Sequence, residues 1–225
     1  MCLISVIPQG VEKNIRNISR YIIQGMKTNT DGSGFMYKKG NANTIGVKKG
    51  YFNAERMIRD ISDLNLTSND HLILHHRFGT QGDNSDENTH PFVISDNHLE
   101  IIATDVVTDK PCMVHNGIFY DISEYVKLNP KFSDTYAFTR YVLAVNGMLD
   151  MAYDNSKLFD KLTKNIIGSD KICILHPEKG ILLIGSYIKV DGCYHSNNGF
   201  RQHVWDRGGH EINKSFDKAL REISM

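Results

Sequence analysis

Short apolar runs, each long enough for a strand and too short for a helix, are the feature that most constrains this chain. They occupy residues 2–7, 34–37, 44–48, 71–76, 99–103, 112–115, 171–176 and 180–185, and most are bounded by Gly, Pro or polar residues, which reads as strands. Helical spacing appears between them. Ile15, Ile18 and Ile22 recur on one face with Gly25 as a stop, and Met57, Ile58, Ile61 and Leu64 follow Asn53 as an N-cap. Further helices are predicted from Phe138, Val142 and Leu143, from Leu158, Leu162 and Ile166 up to Gly168, and from Phe216, Ala219, Leu220 and Ile223 in a helical tail over 200–225. The alternation of helix and strand is too irregular for a doubly wound parallel sheet. It predicts an α+β layered domain with mainly antiparallel sheets.

A chain of 225 residues suffices for one substantial core, so residues 1–225 are expected to form a single domain. Twenty-six basic residues balance twenty-six acidic ones, which leaves no field to attract nucleic acid or an anionic membrane. No stretch approaches ~20 apolar residues, so no membrane-spanning segment is expected. Four cysteines, Cys2, Cys112, Cys173 and Cys193, form no CxxC pair, a pattern that fits reduced thiols in a cytoplasmic protein. The first ten residues lack the basic n-region and long apolar core of a signal peptide.

The chemistry gathers in polar, glycine-containing islands at strand ends, where rigid scaffolds usually carry function. One runs from His75 to Gly82, followed closely by Asn88-Thr89-His90-Pro91-Phe92; a second is His115-Asn116-Gly117; a third is Ser133-Asp134-Thr135-Tyr136. At the start of the chain stands Cys2, which removal of Met1 would make the first residue. Such a cysteine carries a thiol, pKa near ~8.5, and an α-amine, near ~7.7–8.0, so nucleophile and base sit on one residue. Taken singly, each island has a plainer reading: Asp134 as a helix N-cap, Asn116-Gly117 as a hairpin turn, Arg77 as a surface ion pair, and Gly32 and Gly34 as turn residues with Asp31 organising the loop.

Together with Cys2, these islands resemble the class II glutamine amidotransferases, members of the N-terminal-nucleophile hydrolase superfamily. Asp31-Gly32-Ser33-Gly34 is similar to the family's Asp-Gly-x-Gly segment, and Arg77 to Gly82 to its Arg-x-x-Thr-x-Gly loop. The Asn-x-His-Pro-Phe and His-Asn-Gly elements follow in the family's order, within residues 2–141. The resemblance implies a four-layer αββα sandwich of two mainly antiparallel sheets. It implies Cys2 as nucleophile on the side-chain amide of L-glutamine, and Asn116 and Gly117 as an oxyanion hole. It further implies Arg77 on the substrate α-carboxylate, Asp134 on the α-ammonium, and backbone groups around Thr80 and Gly82 completing the pocket. No cofactor is implied, and with no GxxxxGK[ST] string an acceptor would be activated by a separate synthase.

Tyr136, Gln81 and Leu3 depart from residues common in that family, Glu, His and Gly respectively. Three other readings compete. His75, His76, His90 and His115 with Asp83 and Asp86 suggest a metal hydrolase, although adjacent histidines on a strand face opposite ways. An N-terminal-cysteine amidase for a different amide would keep Cys2 without needing Arg77 and Asp134. A regulatory module on the same fold would need no chemistry at Cys2.

Overall fold

A computed structural model describes residues 1–145 and 147–201; the helix predicted over 216–223 lies outside the described residues. The fold is mixed α+β with two antiparallel sheets. The larger sheet has seven strands: β1 (Leu3–Ile7), β2 (Ser33–Lys38), β3 (Ile45–Tyr51), β4 (His71–His76), β6 (Asp105–Thr108), β10 (Ile188–Val190) and β11 (Cys193–His195), in the order β10-β11-β1-β4-β2-β3-β6. The smaller has four: β5 (Phe92–Val93), β7 (Cys112–Asn116), β8 (Lys171–His176) and β9 (Gly180–Ile184), in the order β5-β7-β8-β9. Central β1 pairs with β4 in the register Leu3 opposite His76, which brings the end of β1 that follows Cys2 beside Arg77.

Period-two alternation decides which side chains face which layer. Ile4 and Val6 of β1, Met36, Val47 and Ile73 pack against Val93, Cys112, Val114, Cys173 and Leu175, so an apolar core fills the space between the sheets. Ile7, Phe35, Leu72 and Leu74 of the larger sheet instead meet Ile18 and Ile22 of α1 (Ile15–Thr28) and Met57, Ile58 and Ile61 of α2 (Ala54–Asp63). On the other side of the smaller sheet, Met113, Ile172 and Ile174 pack with Val126 of α4 (Ser123–Leu128), Ala137 and Phe138 of α5 (Asp134–Phe138), Ala152 of α6 (Met148–Asp154) and Phe159 and Ile167 of α7 (Ser156–Ile167). Among the described residues, no helix is long and apolar enough to cross a membrane.

Two local predictions are corrected. Residues 99–103 form helix α3 (His98–Ile102), not a strand: Asn97 caps it by accepting from Leu99 N at 3.0 Å, and the helical turn buries Ile101 while leaving Leu99 71% exposed. Gly25 does not stop α1, which continues to Thr28. A Cβ at Gly25 would stand 2.1 Å from the ring of buried His76, so this glycine serves the close approach of helix to sheet. Asn53 caps α2 as expected, accepting from Arg56 N. The apolar pattern at Phe138 to Leu143 is realised as α5 running into a π-helical turn at Thr139–Leu143.

Buried Lys49 on β3 braces the segment that carries His90. Its Nζ donates to Glu87 O and Ile101 O, both at 2.9 Å, and lies over the Phe92 ring. Burial pushes its ammonium down to about 7.

Candidate active site

Strand ends of both sheets converge on one cavity. It is lined by Cys2, by Arg77 to Gln81 of the loop after β4, by His90, by His115 and Gly117 at the end of β7, and by Ser133, Asp134 and Thr135 at the start of α5. Of the residues singled out from sequence, Cys2, Arg77, Thr80, Gly117 and Asp134 therefore share one space. Asn116 and Gly82 are not among its lining residues.

Cys2 is 9% exposed and its Sγ sits between two groups of one residue, accepting from Phe78 N at 3.4 Å and donating to Phe78 O at 3.6 Å. Burial raises the thiol pKa above its ordinary value, against the lowering effects of the Phe78 N–H, the chain amine and Arg77. Met1 is 78% exposed. The Cys2 carbonyl is held by Asn197 Nδ2 at 2.8 Å.

Arg77 is buried, and its guanidinium organises the loop that follows it. Nη1 donates to Asp83 O and Asn84 Oδ1, and Nη2 to Gln81 O at 2.7 Å. Those bonds draw on three of five N–H groups. Asp31 organises the same loop, its carboxylate accepting from Gly79 N at 2.8 Å and Asn84 Nδ2 at 3.2 Å. Gly82 packs where a Cβ would lie 2.3 Å from Asn88 Nδ2, so it closes the loop against the body of the protein.

Asp134 is not the N-cap of α5. Ser133 is, accepting from Tyr136 N, while the buried Asp134 carboxylate accepts from Thr135 N at 2.8 Å and from Phe119 N at 2.7 Å. Asn116 donates from Nδ2 to Ser196 Oγ at 2.9 Å, and Ser196 Oγ accepts from Ile4 N, two residues from Cys2. The buried Asn116 Oδ1 has no partner among the described residues.

His90 and His115 line the cavity, and buried His75 packs against both. His90 Nδ1 accepts from His115 N at 3.2 Å, His75 Nε2 meets His115 O at 2.9 Å, and the His75 and His90 rings stack at 4.1 Å. Burial pushes His75 down to about 3 and His90 well below the usual imidazole range. His76 points to the opposite face of β4, against Gly25 and Ser33 Oγ. Among the described residues no group of three His, Cys, Asp or Glu converges to hold a metal.

Sequence reasoning did not reach Asp170, Ser196 or Asn197, which help build this site. His115, singled out there only as an island residue and a metal-ligand candidate, bridges Thr135 Oγ1 (Nδ1, 3.0 Å) and Asp170 Oδ2 (Nε2, 3.0 Å), and Ser196 and Asn197 hold the start of β1. Asp170, Ser196 and Asn197 lie in a region that carries no recognisable motif, and only the pairing of β7 with β8 and of β1 with β11 brings them here. Tyr136, one of the departures from the family pattern, is turned away from the cavity: its hydroxyl meets Arg140 Nη1 and His98 Nδ1, and its ring stacks on Phe132. No protein-family model matches the sequence, and no curated protein matches it at a significant level.

Proposed function

We propose that this protein is a glutamine amidotransferase of the N-terminal-nucleophile type, which hydrolyses the side-chain amide of L-glutamine and passes the ammonia to an acceptor on a separate synthase. The observation that carries this reading is the sharing of one cavity by a buried thiol, a buried guanidinium and a buried carboxylate, at Cys2, Arg77 and Asp134. A free amino acid is the ligand whose charged end calls for both signs. Packing supports the finer fold assignment, a four-layer αββα sandwich, through α1 and α2 outside one sheet, the inter-sheet core, and α5, α6 and α7 outside the other.

Removal of Met1 frees the Cys2 α-amine, which takes the thiol proton that burial otherwise retains. Sγ then adds to the amide carbon. The oxyanion is met by Gly117 N–H in the cavity wall, and by the Asn116 amide only once that side chain, which does not line the cavity in this structure, turns the N–H not engaged by Ser196 toward Cys2. The amine returns its proton to the leaving nitrogen, ammonia departs, and water cleaves the glutamyl thioester to glutamate. Arg77 offers its Nε–H and one Nη2–H to the substrate carboxylate, the donors its loop contacts leave over.

Asn116→Ala should lower kcat by roughly 10²–10³ and leave binding of a glutamine analogue nearly unchanged, because the donor acts where negative charge develops. Steady-state kinetics alongside analogue titration separates the two. Equal losses in turnover and binding would assign Asn116 to holding Ser196 instead. Active material should weigh one methionine less than the full chain, and full activity in a chain retaining Met1 would remove the α-amine from the mechanism.

A further inference from the structure

Four side chains form a continuous line that runs from Asp170, outside the cavity lining, through His115 and Thr135 to Asp134, all three of which line it. His115 is 1% exposed and its ring is fixed by Phe119, stacked at 3.8 Å with planes 9° apart. Two glycines clear the space for Asp170. A Cβ at Gly117 would stand 1.9 Å from its carboxylate, and one at Gly185 2.2 Å from its carbonyl oxygen. The approach of Asp170 to His115 is thus built into the chain at two separated glycines.

With a neutral imidazole and an ionised Asp170, which only accepts, the contact of Asp170 Oδ2 with Nε2 puts the imidazole proton on Nε2 and leaves Nδ1 an acceptor. The single proton of Thr135 Oγ1 has two acceptors within reach, His115 Nδ1 at 3.0 Å and Asp134 Oδ1 at 3.4 Å. With this tautomer the hydroxyl turns to His115. Asp134 Oδ1 then accepts from Thr135 N but not from the hydroxyl, and Thr135, which lines the cavity, offers a ligand acceptor lone pairs and no donor.

We infer that Asp170 and His115 are positioning residues that make Thr135 an obligate acceptor beside Asp134, so that this end of the cavity selects a primary ammonium. The inference rests on the amidotransferase reading and adds to it a specificity-determining residue, Thr135, for the α-ammonium of the amino-acid substrate. An ammonium brings three donors and no acceptor. A neutral or anionic group at that point meets only lone pairs and negative charge. Exchanging the tautomer reverses the arrangement: Nδ1–H donates to Thr135, and the threonine proton passes to Asp134.

The test compares two amides, L-glutamine and glutaramate, which differ only in the α-ammonium. Asp170→Asn keeps the shape while its carboxamide can donate to Nε2 and stabilise the other tautomer; Thr135→Val removes the hydroxyl. Both should lower the ratio of kcat/KM for glutamine to that for glutaramate by about 10- to 100-fold, the range for a hydrogen bond to a charged group, mainly through KM. Thr135→Ser should restore the ratio to within a few-fold of wild type. Imidazole nitrogen shifts of His115 in the free wild-type protein should show the Nε2–H tautomer and should change in Asp170→Asn. Equal losses for both amides, or an Nδ1–H tautomer in the wild type, would overturn the inference. Failure of the amidotransferase reading looks different: the wild type would not turn over glutamine, while the tautomer, measured without ligand, still decides the relay.

Discussion

Asp134→Asn should lower kcat/KM for glutamine by roughly 30- to 5,000-fold, equivalent to the 2–5 kcal/mol lost when one partner of a buried charge pair is removed. Asparagine is the informative replacement because it preserves a side-chain oxygen for Phe119 N or Thr135 N, contacts that Asp134→Ala would leave unpaired in a buried setting. Arg77→Ala should produce a loss of the same order for a compound reason. It removes the partner of the substrate carboxylate, and it releases Gln81 O, Asp83 O and Asn84 Oδ1 from one guanidinium. Arg77→Lys keeps the charge and gives up the fork, so a milder defect in lysine than in alanine would measure the loop's share. Alkylation of Cys2 by a small neutral reagent should persist in all three variants. Unchanged glutamine kinetics in both Asp134→Asn and Arg77→Ala would favour an N-terminal-cysteine amidase with a different substrate.

Acidification from pH 7 to about pH 4 should unfold the protein cooperatively. His75 and His76 are pushed down to about 3 by burial, and His90 well below its ordinary value for the same cause. In the unfolded chain each titrates near ~6.5. Below that pH the unfolded state binds protons that the folded state refuses, so stability falls as pH drops and continues to fall until the folded pKa is reached. Each group contributes up to about 1.4 kcal/mol per pH unit, and three together about 4 kcal/mol per unit, against a typical total of roughly 5–15 kcal/mol. Buried His75 Nδ1 and His76 Nε2 have no partner among the described residues that would relieve a charge. Far-UV circular dichroism against pH reads the transition. Stability that stays flat between pH 7 and pH 4 would mean that these imidazoles are accessible to protons in the folded state.

Most of the scaffold was legible in the sequence because burial in these sheets follows short apolar runs. Residues 71–76 and 171–176 coincide with β4 and β8, and 112–115 falls within β7. The misread segment, 99–103, reads as too short for a helix but forms one of five residues; the signal that decides it is Asn97, a side-chain cap. The two-residue β5 and the edge strands β6 and β10 are too short or too exposed to carry a pattern. Cys2, Arg77, Thr80, Gly117 and Asp134 were found as motif residues, and they line one cavity. Asp170 was not. Its partner His115 lies 55 residues away, and its two enabling glycines look like ordinary turn residues until the strands are paired. A different, local ambiguity hid Ser133 as the cap of α5, since Ser and Asp are equally good candidates there.

On the proposed mechanism, Cys2, freed of Met1, attacks the side-chain carbon of glutamine in a cavity that recognises its charged end. The most direct measurement treats the processed protein with a diazoketone analogue of L-glutamine and locates the adduct by peptide mass. A single adduct on Cys2, suppressed by L-glutamine and not by glutaramate at equal concentration, is the predicted result. Labelling of buried Cys112, Cys173 or Cys193 instead, or a Cys2 adduct that glutamine does not suppress, would contradict it.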